Sequence, residues 1–261
     1  MEVIVRPDTA SAAEFTARLI ADAINEKPDF VLGLATGGTM EPVYADLARM
    51  NREGKVDFSL VRTFNLDEYI GLPPEDPQSY RYYMNYHLFD KVNIDKRNTH
   101  LPDGMAKDEA AEGERYEEAI RLAGGIDLQL LGIGSDGHIG FNEPLSSFSS
   151  ITRAKPLTPA TWKQNSIYFN PPEAMPMRAF TMGVGTILES RRIVMLITGE
   201  KKAGITAKAI EGPLTSMVTG SAIQMHPNVV VVLDEGAASQ LTMRDYYDWI
   251  FAHEPKWAPY R

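Results

Sequence analysis

The sequence predicts an α/β fold: an open, mainly parallel sheet covered by helices on both faces, in a single domain spanning residues 1–261. Three observations predict it. Apolar runs of strand length alternate with amphipathic helical stretches along the chain. The strongest of these runs are apolar throughout, as strands covered on both faces should be. No internal repeat, low-complexity block or linker interrupts the alternation.

Val3–Val5 reads as a short strand. Ser11 and Glu14 follow as an S-x-x-E capping box. Phe15, Leu19, Ile20, Ala23 and Ile24 then fall on one helical face, until Lys27 and Pro28 end the helix. Phe30–Leu34 is a second strand. Ala35-Thr36-Gly37-Gly38-Thr39 turns from it into a helix reaching about Met50, with Thr39 as N-cap. A Gly-rich turn of this kind aims free N–H groups at one spot, which favours phosphate. It is not a Walker A loop, because no Gly-Lys-Ser/Thr follows.

Leu60–Phe64 is a third strand, ending in the polar cluster Asn65-Leu66-Asp67-Glu68-Tyr69. After a Pro-rich loop, Ser79–Phe89 is helical, with Tyr80, Tyr83, Met84 and His87 on one face. Asp108–Leu122 is amphipathic helix and Ile126–Leu130 a buried strand. Residues 146–170 are polar and carry Pro156 and Pro159. They read as an excursion with little regular structure, suited to a lid or to an effector or subunit contact. Phe180–Val184, Ile193–Thr198 and Val229–Leu233 are strands. Helices are expected around Ile187–Ser190, from Gly199 to Ile210, and over about Ala237–Phe251. In such a sheet ligands sit beyond the C-terminal ends of the strands. Thr36–Thr39, Asn65–Tyr69 and Gly134–Glu143 would all lie along that edge.

Composition narrows the function classes. The chain has 261 residues, 44% hydrophobic and 23% charged, as a globular protein with a sizeable core requires. It has no cysteine, which excludes disulfides and thiolate metal sites and suits a reducing compartment. No signal peptide and no membrane-spanning run are expected. A net charge of −9 argues against nucleic-acid binding. It leaves room for an anionic small substrate, since a few cations and backbone amides set the field in a cleft.

The densest chemistry lies in Leu131–Pro144, L-G-I-G-S-D-G-H-I-G-F-N-E-P, which puts Asp136, His138 and Glu143 on one loop. Gly132, Gly134 and Gly137 satisfy the dinucleotide pattern G-x-G-x-x-G. The residues that follow make a poor helix, however, and no acid stands about 20 residues on. The three side chains could also hold a metal, but no second histidine lies nearby. Histidine titrates near neutrality, and carboxylates beside it fix its tautomer and charge. Acid–base work is the reading these residue types favour.

Taken together, the motifs resemble those of the glucosamine-6-phosphate deaminase (glucosamine/galactosamine-6-phosphate isomerase) family, aldose–ketose isomerases that release ammonia. The resemblance rests on G-L-A-T-G-G-T at Gly33–Thr39, F-N-L-D-E-Y at Phe64–Tyr69 and G-I-G-S-D-G-H-I-G-F-N-E-P at Gly132–Pro144. T-M-G-V-G-T at Thr181–Thr186, G-E-K-K at Gly199–Lys202 and E-G at Glu211–Gly212 extend it over nearly the whole chain. It implies a modified Rossmann-like fold and a cytoplasmic enzyme of amino sugar metabolism. Its substrate would be a small amino sugar phosphate, and it would need no cofactor and no metal. It implies Asp67 as the base between C2 and C1, and His138, oriented by Asp136 and Glu143, as the group that assists ring opening. It implies Thr36, Gly37, Gly38, Thr39 and Lys202 as the phosphate site. Some members are hexamers with an effector site, matched in part by Ser146, Ser147, Arg153 and Lys155. A homo-oligomer (a hexamer) or a monomer is therefore expected, and no activation is predicted.

One departure stands out. Where the family carries a phosphate-binding arginine, this chain has Ile167, in Asn165-Ser166-Ile167-Tyr168-Phe169. Lys163 or Arg153 can take its place; otherwise phosphate affinity is weaker or the preferred amino sugar altered. Two other readings stay open. One is a 6-phosphogluconolactonase-like lactone hydrolase, sharing the G-x-G-x-D-G-H core. The other is a sugar-phosphate sensor, for which no DNA-binding segment is apparent.

Overall fold

The computed structural model describes residues 1–261. In chain order the elements are β1 (Glu2–Arg6), α1 (Thr9–Glu26), β2 (Val31–Leu34), α2 (Glu41–Arg52), β3 (Arg62–Asn65), β4 (Asp67–Tyr69) and α3 (Tyr80–Met84). There follow β5 (Thr99–His100), α4 (Glu109–Leu122), β6 (Leu128–Leu131), β7 (Arg153–Pro156), α5 (Pro159–Ser166), β8 (Arg178–Thr181) and α6 (Val184–Leu188). The chain closes with β9 (Ile193–Ile197), α7 (Ala203–Ile210), β10 (Val229–Asp234), α8 (Glu235–Ala238) and α9 (Arg244–His253).

Seven strands form one parallel sheet in the order β1-β10-β9-β6-β2-β3-β5. Every residue of β2, β6, β9 and β10 is buried, so both faces are covered, as their unbroken apolar character predicts. From β2 the chain moves to β3 on one side; from β6 it moves to β9 on the other. The loops after β2 and β6 therefore part at their C-terminal ends, and this switch point opens a crevice.

The structure also departs from the expectations. The cap of α1 is Asp8 with Ser11 at N3, so Ser11 is inside the box rather than its start and Glu14 plays no part in it. Helix α2 begins at Glu41, and Thr39 caps nothing. Asp67–Tyr69 is not loop. It forms β4 of a second, antiparallel sheet, β4-β8-β7. That sheet corrects the expectation of little regular structure at 146–170, which holds β7 and α5. Both are polar because β7 is a half-exposed edge strand and α5 is short, capped by Thr158 with Pro159 following. Strand β8 stops at Thr181, and Val184 already belongs to α6. The C-terminal helical stretch is two pieces rather than one, and the short edge strand β5 was not foreseen.

Backbone hydrogen bonds anchor the stretch that leads from β8 into α6. Met182 N–H donates to Leu66 O at 2.7 Å, and Gly185 N–H to Ser150 O at 2.8 Å. A Cβ on Gly183 would lie 2.0 Å from Ser150 O, a backbone atom that cannot turn aside. Gly183→Ala is therefore expected to destabilise the fold by roughly 1–3 kcal/mol, read as a lower urea midpoint with an unchanged slope.

Candidate active site

The crevice at the switch point is a cavity of about 380 Å³, and 19 residues line it. Thr36, Gly37, Gly38 and Thr39 come from the turn after β2, Asp67 from β4, His138 from the loop after β6 and Lys202 from the turn before α7. Of the expected catalytic and phosphate groups, only Asp136 and Glu143 stay out of the lining, and both stand behind His138. A larger groove of about 610 Å³, lined by Leu19, Asp22, Arg192 and Trp257 among others, holds none of the expected residues. Size alone does not locate the chemistry.

His138 is 14% exposed. Its ring packs so closely on Gly134 that a Cβ there would come within 2.2 Å of it, which is what the glycine is for. Nδ1 is 2.5 Å from Asp136 Oδ1 and 3.5 Å from Glu143 Oε2. Between two carboxylates Nδ1 carries a proton, which leaves Nε2 without a protein partner. Glu143 is 7% exposed, and its Oε1 accepts from Thr158 N–H at 3.3 Å and Thr158 Oγ1 at 3.2 Å. Burial pushes the Asp136 carboxyl up, but the hydrogen bond and charge of His138 outweigh it and hold the group at about 2. The ligand atoms of Asp136, His138 and Glu143 lie within 4.8 Å of one another. The short Asp136–His138 contact is that of a hydrogen-bonded pair, and the cluster has a single imidazole.

Asp67 has the opposite environment. It is 6% exposed and accepts no hydrogen bond from the protein; burial, then the charge of Glu68, raise its pKa to about 8. Glu68 is also buried, and burial lifts it to about 7. The N–H groups of Tyr69, Tyr80 and Arg81 oppose that rise, each donating to its carboxylate at 2.9 Å. Read alone in the sequence, Asp67 and Glu68 look like solvated loop acids; the structure buries both. Glu68 ties β4 to the first turn of α3 and so fixes the strand that carries Asp67.

Lys202, also in the lining, donates from Nζ to Ile133 O at 2.9 Å, and burial lowers its pKa. Tyr83 OH donates to Gly37 O at 2.9 Å and steadies the Gly-rich turn. The lid-like α5 adds Gln164, which no motif signalled, and Asn165, and Tyr168 just beyond the helix also lines the cavity. Ser135 Oγ donates to Gln164 Oε1 at 3.0 Å, and Asn165 Nδ2 to Tyr69 OH at 3.2 Å, so α5 is tied to both sides of the cleft. Ile167 is 73% exposed. Neither Lys163 nor Arg153 lines the cavity in its stead. Arg153 donates instead to Asn142 Oδ1 at 2.9 Å. Ser146, Ser147, Arg153 and Lys155 all lie outside the lining.

Residues 8–232 match the family described as glucosamine-6-phosphate isomerases/6-phosphogluconolactonase. The glucosamine-6-phosphate deaminase of Cellvibrio japonicus is 50% identical over 250 residues, 96% of this chain and 95% of that protein. That of Shewanella woodyi is 48% identical over 256 residues, 98% of this chain and 97% of that one. The solved structure of a monomeric glucosamine-6-phosphate deaminase superposes with a TM-score of 0.90 at 43% identity, covering 92% of this chain and all 100% of that one. A 6-phosphogluconolactonase from Trypanosoma brucei, 19% identical with a TM-score of 0.72 over 92% of this chain and 98% of its own, shares the fold.

Burial of Asp67 has a consequence for stability. The folded state binds its proton up to about pH 8, whereas the unfolded chain releases it near 3.8. Between those values the folded state holds more protons, so the Asp67 contribution falls as pH rises. Asp67→Asn is expected to gain stability relative to the unsubstituted chain from pH 5 to pH 8, by up to about 1.4 kcal/mol per pH unit. Paired urea titrations across that range read the divergence.

Proposed function

The chain belongs to the glucosamine-6-phosphate isomerase/6-phosphogluconolactonase family, and we propose that within it the protein is a glucosamine-6-phosphate deaminase. It converts glucosamine 6-phosphate and water to fructose 6-phosphate and ammonia. The observation that carries this reading is a buried carboxyl, Asp67, without a hydrogen-bond partner, in the same cavity as His138, which Asp136 and Glu143 back from behind. Relatives close to half identical carry the deaminase name over almost their full length, whereas the lactonase likeness is one of fold.

The sugar enters as a ring. His138, its Nδ1 proton held by Asp136 with the Glu143 carboxylate nearby, uses Nε2 to move a proton between the ring oxygen and the anomeric oxygen, which opens the ring. Asp67 then takes the proton from C2 and returns it to C1. Protonated in the empty cavity, Asp67 regains its charge when the substrate's cationic amine arrives beside it, since an opposite charge at short range favours the carboxylate. The product of that transfer is a C2 imine, which water hydrolyses to the ketone with release of ammonia. A carboxylate suits the step because one group can accept and return the same proton. Thr36, Gly37, Gly38, Thr39 and Lys202 hold the phosphate, so that the reacting carbons are oriented by the far end of the molecule.

The substrate is a small phosphorylated amino sugar, a charged molecule that is retained in the cytoplasm, and we place the enzyme there. All the residues in these roles come from one chain, which is compatible with a monomer, as one relative is described, or with a hexamer; light scattering separates the two.

After metal chelation, the protein is expected to release ammonia and fructose 6-phosphate in equal amounts from glucosamine 6-phosphate. Asp67→Asn should lower that rate at least about 10²-fold. Lactone hydrolysis moves no carbon-bound proton, so a 6-phosphogluconolactonase activity that survives Asp67→Asn, with no deamination in the unsubstituted protein, would overturn the reading. Lys202→Met is expected to raise KM by roughly 10–100-fold with a smaller change in kcat, the loss of one charge-assisted contact.

A further inference from the structure

The anion end of the cavity is short of positive charge. Among the 19 lining residues Lys202 is the sole lysine or arginine. Its ammonium is shared with Ile133 O, at 2.9 Å, and it lies in the field of Asp136. Arg153, the next cation in sequence after the catalytic loop, is bound to Asn142 Oδ1 and Ile151 O and does not line the cavity. The other donors are neutral. They include the Thr36 and Thr39 hydroxyls, the N–H groups of the Gly37–Gly38 turn, Gln164 near the end of α5 and Tyr168 just beyond it. The carboxamide oxygen of Gln164 is occupied by Ser135 Oγ, so its Nε2 hydrogens remain for the cavity.

A phosphate ester is a dianion above its second pKa of about 6. One lysine compensates one of its charges. The neutral donors hydrogen-bond the remaining oxygens but bring no positive charge to offset the second negative one. A singly charged tetrahedral ester presents the same oxygen geometry, with its charge fully matched. Resting on the deaminase reading above, we infer that the cavity recognises the group on C6 as a singly charged tetrahedral oxyanion, through Lys202 and the neutral donors Gln164 and Tyr168. It therefore accepts an amino sugar 6-sulfate alongside the 6-phosphate. Ile167, exposed in the stretch between cavity-lining Asn165 and Tyr168, is where a second cation is introduced to test this.

The test compares ammonia release from glucosamine 6-phosphate and glucosamine 6-sulfate at pH 7.5, where only the phosphate is doubly charged, by the unsubstituted protein and by Ile167→Arg, Gln164→Leu and Tyr168→Phe. The unsubstituted protein is expected to favour phosphate by less than about 10-fold in kcat/KM. Ile167→Arg should raise that preference at least about 10-fold, through KM, the size of one added charge-assisted contact. Gln164→Leu and Tyr168→Phe should raise KM for both esters alike. A preference of 10-fold or more in the unsubstituted protein, a preference that Ile167→Arg leaves unchanged, or unaltered KM values in Gln164→Leu and Tyr168→Phe would each overturn the inference. If neither ester releases ammonia, the deaminase reading falls instead. Calorimetric titration with inorganic phosphate and inorganic sulfate then makes the same comparison: comparable affinities in the unsubstituted chain, split in favour of phosphate by Ile167→Arg, uphold the oxyanion assignment, and any other pattern removes it.

Discussion

A parallel sheet buried on both faces has no room for unpaired charge, and the rest of this molecule follows from that. β2, β6, β9 and β10 are closed to solvent along their whole length. Polar chemistry can then gather only where strands end. The divergence of the chain after β2 and β6 supplies the place, because two neighbouring loops turn to opposite sides and leave a cleft between them. The Gly-rich turn, the acid–base loop and Lys202 occupy that cleft from separate stretches of chain.

Within the cleft, environment separates two aspartates of the same intrinsic acidity. Asp136 is held at about 2 by a hydrogen bond and charge from His138, against the effect of burial. Asp67 is lifted to about 8 by burial and by Glu68. Groups whose pKa values are driven apart in this way can take different parts in one proton-transfer sequence. The carboxylate beside His138 stays charged and orients the ring. The other changes its proton occupancy when a cation approaches, as the proposed reaction requires of it.

The small antiparallel sheet does a different job. β4 carries Asp67 into the cavity, β8 pairs with it, and β7 leads on to α5. Thr158, at the start of α5, meets Glu143, while Gln164 and Asn165 reach Ser135 and Tyr69. The stretch that closes the cleft is thereby attached to the acid–base loop and to the strand of Asp67. Positioning of the carboxyl, of the imidazole and of the cover is one connected arrangement.

Much of this was legible in the residues. Alternating apolar runs and amphipathic stretches were enough for the parallel sheet, because burial on both faces writes itself into composition. The Thr36–Thr39 turn and the Asp136–His138–Glu143 loop declared themselves by local chemistry: glycines where backbone must come close, acids around an imidazole. Residues 146–170 did not. An edge strand and a weakly amphipathic short helix leave little pattern, and their order comes from pairing with β8 and from contacts with Glu143 and Ser135. Nor could the sequence reveal that Asp67 and Glu68 are buried, since two adjacent acids read as a solvated turn until a second sheet and α3 close over them. The sequence by itself determined the fold class, the edge of the sheet that holds the chemistry and the residue types gathered there. Only the tertiary structure decided the burial that raises the Asp67 pKa and left Lys202 the single lysine or arginine lining the cavity, because both depend on long-range packing.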